Sequence, residues 1–146
     1  MCRVLVVDDS SVSLKLALFV LKSIGCQVTG VSSASSAFDE LQCNQYDAVL
    51  MDIYMPEMNG YEATAFIKEG GAGESNSKIP IIAMSSADQP EEHSKSRLAG
   101  MVDFIPKPFT GDTVKTTLLK FCPVFLDRNS KYDEIAQGRR DYACQE

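Results

Sequence analysis

Short apolar runs alternate along this chain with longer stretches in which apolar residues recur every three to four positions. Residues 3–7 read as a buried strand around Val4-Leu5-Val6-Val7. Residues 11–24 then carry Leu14, Ala17, Leu18 and Leu21 on one helical face, with Ser10 or Ser11 available to cap the helix and Gly25 to stop it. The same alternation predicts strands over 27–31, 46–51, 79–84 and 102–105, and helices over 35–42, 60–68, 90–99 and 110–121. Five short apolar strands separated by helices are buried on both faces, which implies a parallel sheet with right-handed crossovers and helices on each side. Such an open, doubly wound α/β sheet binds ligands beyond the carboxyl ends of its strands.

Polar residues of an unusual kind stand at those ends. The acidic pair Asp8-Asp9 follows the first strand and Asp52 follows Ala48-Val49-Leu50-Met51. Asp8 and Asp9 have a simpler use as negative charges at a helix N-terminus, worth a few tenths to ~1 kcal/mol each. Three carboxylates gathered at one sheet edge, however, repel one another unless a cation binds there, and magnesium suits carboxylate, carbonyl and water oxygens. In that arrangement Asp9 and Asp52 are direct ligands, Asp8 acts directly or through water, and the backbone carbonyl of Tyr54 completes the protein's share. Asp52 is then the nucleophile, its carboxylate attacking phosphorus to give an acyl phosphate.

Ser85 ends the fourth apolar run, where its hydroxyl serves either a phosphoryl oxygen or the next helix as a cap, and Ser86 competes for the first role. Lys107, held between Pro106 and Pro108, has a restricted backbone and stands before a candidate cis peptide that points its ammonium at the acids. His93, the single histidine, is read as a surface residue on a polar helix face.

The length of 146 residues fits one domain, here 1–122, followed by a tail over 123–146 that is a helical extension, a disordered segment or a binding segment. Fourteen basic against twenty acidic residues give a net charge of −6, and no basic cluster appears, so direct nucleic-acid binding is not expected. Five scattered cysteines without a C-x-x-C pair indicate neither a disulfide framework nor a zinc site and fit a reducing compartment. No apolar stretch approaches the ~20 residues of a membrane span, and no signal peptide is evident, so a soluble cytoplasmic protein is expected. The Gly/Ser-rich segment 70–77 reads as a flexible surface loop at the sheet end remote from the acids.

With Asp8-Asp9, Asp52, Ser85 and Lys107-Pro108 in this order, the sequence resembles the receiver domain of two-component response regulators over roughly residues 2–122. The segments "VLVVDDS", "DAVLMDIYMPEMNGYEA", "IPIIAMSS" and "DFIPKPF" carry the resemblance. It implies a flavodoxin-like (βα)5 fold with strand order 2-1-3-4-5. It also implies magnesium held by Asp8 and Asp9, phosphoryl transfer from a phosphohistidine to Asp52, and contacts to the phosphoryl group from Ser85 and Lys107. Phe104 matches the aromatic switch position, and the face formed by the fourth helix, last strand and last helix is the output surface. The expected role is a signalling phosphoacceptor that catalyses only its own phosphorylation and dephosphorylation. Its partner would be a histidine-phosphotransfer protein or a histidine kinase, whether the chain is a stand-alone receiver or part of a hybrid kinase in the cytoplasm or nucleus. Tyr54 and Ala87 are candidates for setting how long the phosphoryl group persists. The main rival is a pseudo-receiver that binds partners without phosphotransfer. A flavin or dinucleotide enzyme would need a glycine- or hydroxyl-rich phosphate loop after the first strand, where this chain has two acids. An aspartate-based phosphatase would need a second acid where Tyr54 stands.

Overall fold

Strands β1 (Arg3–Val7), β2 (Gln27–Val31), β3 (Ala48–Asp52), β4 (Ile81–Ser85) and β5 (Asp103–Pro106) form one parallel sheet in the order β2-β1-β3-β4-β5. This computed structural model describes residues 2–122 apart from 88 and 109, so the tail expected over 123–146 lies outside the described residues. Helices α1 (Ser11–Ser23), α2 (Ala34–Cys43), α3 (Gly60–Lys68), α4 (Pro90–Ala99) and α5 (Gly111–Phe121) make the crossovers. The expected flavodoxin-like α/β architecture is therefore the one observed.

The period of two along each strand divides the interior into two cores. Val4, Val6, Leu50, Ile82 and Met84 face one side with Ala17 and Leu21 of α1 and Val114 and Leu118 of α5. Leu5, Val7, Val49, Met51, Ile81 and Ala83 face the other with Ala37 and Leu41 of α2 and Ala63 and Ile67 of α3. Every residue of β3 and β4 is buried, which is why both read as unbroken apolar runs. Burial of each large side chain contributes on the order of 1.5–3 kcal/mol, so the strands that carry the acids are anchored in the core.

Local signals set the helix ends. The Ser10 hydroxyl accepts from the Ser13 N–H and caps α1, and Asn59 with Glu62 forms a reciprocal capping box on α3. Gly100, at φ 106°, closes α4 in the left-handed conformation that glycine adopts without strain. Strand starts differ from the sequence reading by one or two residues. Asp47 lies outside β3 because its carboxylate accepts the Arg3 N–H at 2.8 Å, and β4 begins after Pro80, which has no N–H to give a ladder.

Two expectations are corrected. Segment 70–77 is not a free loop: it contains a 3-10 turn (Glu74–Asn76), Ala72 is fully buried, and the Asn76 amide donates to the carbonyls of Leu41 and Ala72 at 2.7 and 2.9 Å. The cysteines are not all unpaired either, since Cys2 and Cys122 form a disulfide across 120 positions of sequence. Spacing alone hid this pair, because the two ends of the domain meet only where β1 and α5 contribute to one core. The reading of a reducing compartment thereby loses its premise. Among the described residues, no helix is long and apolar enough to cross a membrane.

Candidate functional site

Register places the acids. Val7 of β1 pairs with Met51 of β3, so Asp8 and Asp52 leave neighbouring strands side by side, and the Asp8 N–H continues the ladder to the Val31 carbonyl at 3.1 Å. Carboxylate oxygens of Asp8, Asp9 and Asp52 all lie within 4.8 Å of one another. Asp8 is fully buried, Asp52 is 7% exposed and Asp9 faces solvent.

Lys107 enters from the far side of the same edge. Ser85 pairs with Pro106, and the Lys107 N–H donates to the Ser85 carbonyl at 2.8 Å, which carries its side chain back over β4. The ammonium donates to Asp8 Oδ2 at 2.8 Å and to Asp52 Oδ1 at 3.2 Å. The Lys107–Pro108 peptide is cis, the geometry for which the proline context made it a candidate.

The two buried carboxyls titrate differently because their partners differ. For Asp52, burial comes first in pushing the pKa up to about 7, with the Asp8 charge adding to it and Lys107 pulling against it. For Asp8, burial also disfavours the charge. Hydrogen bonds from Lys107, from the Ser13 hydroxyl at 2.6 Å and from the Ser10 N–H at 3.0 Å outweigh it, so Asp8 sits below the ordinary carboxylate range. Lys107 loses charge stability to burial and regains more from the two acids, so its pKa rises.

The cluster fits a hard divalent cation. Fully ionised, its three carboxylates exceed the one ammonium by two negative charges, and all the side-chain donors are oxygens. Asp9, exposed beside two buried acids, leaves the cluster open to solvent on one side.

Ser85 is buried and its Oγ accepts from the Ala87 N–H at 3.0 Å, which leaves the hydroxyl proton to be donated; Ser86 is exposed. Ser86 instead lines a recess of about 320 Å³ with Val12, Leu16, Lys107 and Pro108, next to the acids and largely apolar. Phe104 is half-buried on β5 and stacks on His93 with ring centres 4.1 Å apart. His93 is thus not the bare surface residue expected: it is half-buried against the aromatic that resemblance marks as a switch. Tyr54 follows Asp52 by two residues, and its hydroxyl donates to Glu92 of α4.

Two residues at or beside the site, Ser13 and Glu92, carry no signal of their own in the sequence. Ser13, one helical turn beyond Ser10, donates to Asp8 and had no motif to mark it. Glu92 is buried although it sits in a charged stretch. Gly60 donates its N–H to the Ile53 carbonyl at 2.7 Å, and a Cβ there would lie 2.3 Å from the Asp52 carbonyl oxygen.

The response regulator receiver domain model matches residues 4–119. Transcription factor SKN7 of Saccharomyces cerevisiae is 36% identical over 82% of this chain and 18% of its own length. Sensor protein GacS of Pseudomonas syringae is 33% identical over 85% of this chain and 14% of its own. The chain therefore spans less than a fifth of these relatives. Among solved structures, the receiver domain of a sensor histidine kinase from Pseudomonas aeruginosa, with a magnesium ion coordinated in its active-site cleft, superposes with TM-score 0.74 and 31% identity. That match covers 82% of this chain and 96% of the other.

Proposed function

Since the chain belongs to the response regulator receiver domain family of two-component systems, we propose that Asp52 accepts a phosphoryl group from a phosphohistidine in a His-Asp phosphorelay. The observation that carries this reading is the bridge made by Lys107 between Asp8 and Asp52 with Asp9 in reach, four residues from three separate strand ends meeting at one point.

The residues divide the work. A carboxylate oxygen of Asp52 forms the new bond to phosphorus as the donor's N–P bond breaks, and the imidazole leaves with the electron pair. Lys107 screens the approach of one anion to another and, after transfer, donates to a phosphoryl oxygen. The hydroxyl of Ser85 donates to a second. Asp9 and Asp52, Asp8 directly or through water, and the Tyr54 carbonyl would hold a magnesium ion, which when bound neutralises charge on the attacking and incoming oxygens. Transfer adds ~1.5–2 negative charges at Asp52, draws Ser85 inward and frees space toward which Phe104 turns, changing the face of α4, β5 and α5. The domain is in this reading a switch that catalyses only its own loading and unloading.

A histidine-phosphotransfer protein or the phosphotransfer domain of a kinase is the proposed donor. Val12, Leu16 and Phe19 stand on the outer side of α1 at 78, 46 and 71% exposure, and Val12 and Leu16 border the recess beside Lys107. An apolar helical surface next to the acceptor suits a helical donor that must bring an imidazole to Asp52.

Labelling with a small phosphodonor such as phosphoramidate, with and without magnesium, tests the assignment. Wild-type protein is expected to acquire one acid-stable, base-labile phosphoryl group only with the metal, and Asp52→Asn none. Equal labelling of Asp52→Asn would remove Asp52 from the role.

A further inference from the structure

Glu92 is the third residue of α4, the position from which a glutamate ordinarily reaches back to the N-cap N–H. Glu62 does this on α3, where its carboxylate accepts the Asn59 N–H at 3.0 Å. Glu92 does not serve its own helix in this way. One of its oxygens accepts the hydroxyl of Tyr54 and the other that of Tyr61. The residue is 7% exposed although it lies in a charged helix, and a carboxylate hidden to that degree needs such donors.

The two tyrosines come from different places. Tyr61 is on α3, beside which α4 packs, whereas Tyr54 is on the loop that leaves Asp52. β3 and β4 are neighbours in the sheet, with Asp52 paired to Met84. The Tyr54 side chain therefore links the loop after β3 to the helix after β4, the two strands whose ends carry Asp52 and Ser85. Tyr54 is 56% exposed, and the hydroxyl bond to Glu92 ties down the end of its side chain.

Resting on the assignment of Asp52 as phosphoacceptor, we propose that Glu92 is a positioning residue that holds Tyr54 across the entrance to Asp52 and so sets how long the aspartyl phosphate survives hydrolysis. Tyr61 fixes the second oxygen of Glu92 and thereby the direction of the first. Any event that shifts the first turn of α4 changes the hold on Tyr54. The output face and the lifetime of the signal are then coupled through one carboxylate.

The test compares the full chain with Tyr54→Phe, Glu92→Ala and the double variant, using Glu91→Gln on the exposed neighbour as control. Each protein is loaded with phosphoramidate and magnesium, the donor is removed, and loss of phosphoryl groups is followed. Tyr54→Phe removes only a hydroxyl from an exposed ring, so it reports even if Glu92→Ala folds poorly. Both single variants are expected to shorten the half-life by about fivefold or more, the factor that loss of one hydrogen bond produces. The loading rate should change far less than the unloading rate, and the double variant should match the singles, a non-additivity that general loosening of the fold does not give. Half-lives equal to or longer than wild type, or effects that multiply in the double variant, overturn the positioning role while leaving Asp52 as acceptor. Failure of the wild-type chain to load overturns both.

Discussion

Replacing Asp52 by asparagine should stabilise the metal-free domain, by an amount that grows with pH. The carboxyl of Asp52 is almost wholly buried, and its pKa rises from the ordinary 3.8 to about 7, through burial first and the Asp8 charge besides, against the pull of Lys107. The native state thus keeps a proton that the unfolded chain releases near 3.8. Between the two values the folded form binds more protons, so stability is lost as pH rises and the loss is complete above about 7. At 1.36 kcal/mol per pH unit the gap from 3.8 to about 7 sets a ceiling of about 4 kcal/mol. Asparagine keeps an acceptor for Lys107 but gives up the ionic part of that contact, which leaves an expected gain of about 1–3 kcal/mol at pH 8. For a domain of this size that is a rise in Tm of roughly 4–12 °C.

Thermal melts of both proteins in EDTA at pH 4, 6, 7 and 8 measure this directly. The difference between variant and wild type should be small at pH 4, grow through pH 7 and level off above it. Saturating magnesium at pH 8 should then raise the Tm of wild type, by the free energy of occupying its site, and leave Asp52→Asn nearly where it was. A difference independent of pH, or a less stable variant at pH 8 without metal, would refute the claim that burial and Asp8 dominate the charge state of Asp52.

Three further outcomes follow from the same geometry. Lys107→Ala leaves two buried carboxylates facing each other and should cost about 1–3 kcal/mol at pH 8, discounted for the partial exposure of the lysine, and less at pH 5 where Asp52 is protonated, as read from urea midpoints at the two pH values. Gly60→Ala drives a methyl to within 2.3 Å of the Asp52 carbonyl oxygen and should destabilise the domain by about 2 kcal/mol or more while slowing phosphoryl labelling, measured by melting and by loading rate. Cys122→Ser opens a cross-link spanning 120 positions, whose loop entropy has a ceiling of about 5 kcal/mol; a reducing agent should lower the Tm of wild type and leave that of the variant unmoved.

The fold was legible because each element carried its own signal. The runs over 4–7 and 79–84 are short, apolar and bounded by turn residues, as buried strands are, and the serine before α1 marked that helix's start. The primary acids were legible for the same reason: a charged residue directly after an apolar strand has one place to go in a doubly wound sheet. What the sequence hid was lateral. Nothing near Cys2 points to Cys122, nothing near Tyr54 points to Glu92, and His93 gives no sign that it lies on Phe104, because each pair is made by helices packing beside strands that are distant in the chain. Segment 70–77 differs for a related reason: its glycines suggest freedom, while the Asn76 amide reaches Leu41 on α2 and backbone bonds within the segment fold it down.

The placement of Lys107 shows why these residues form a unit and not five separate caps and turns. An ammonium that only balanced a surface acid would gain little by leaving solvent, yet this one is largely withdrawn from it and divides its protons between Asp8 and Asp52. Asp8 is the partner held below the ordinary carboxylate range; Asp52 is the one that burial pushes up to about 7. In the proposed role Asp52 must be ionised to attack, and added positive charge at the cluster favours that form. A divalent ion would supply that charge, so the magnesium dependence proposed above has a basis in the electrostatics of this edge. Hydroxyl and amide donors in place of Asp8 and Asp9 would leave Asp52 with neither a repelling neighbour nor a reason to bind a cation, and the same strand end would make only an ordinary helix cap.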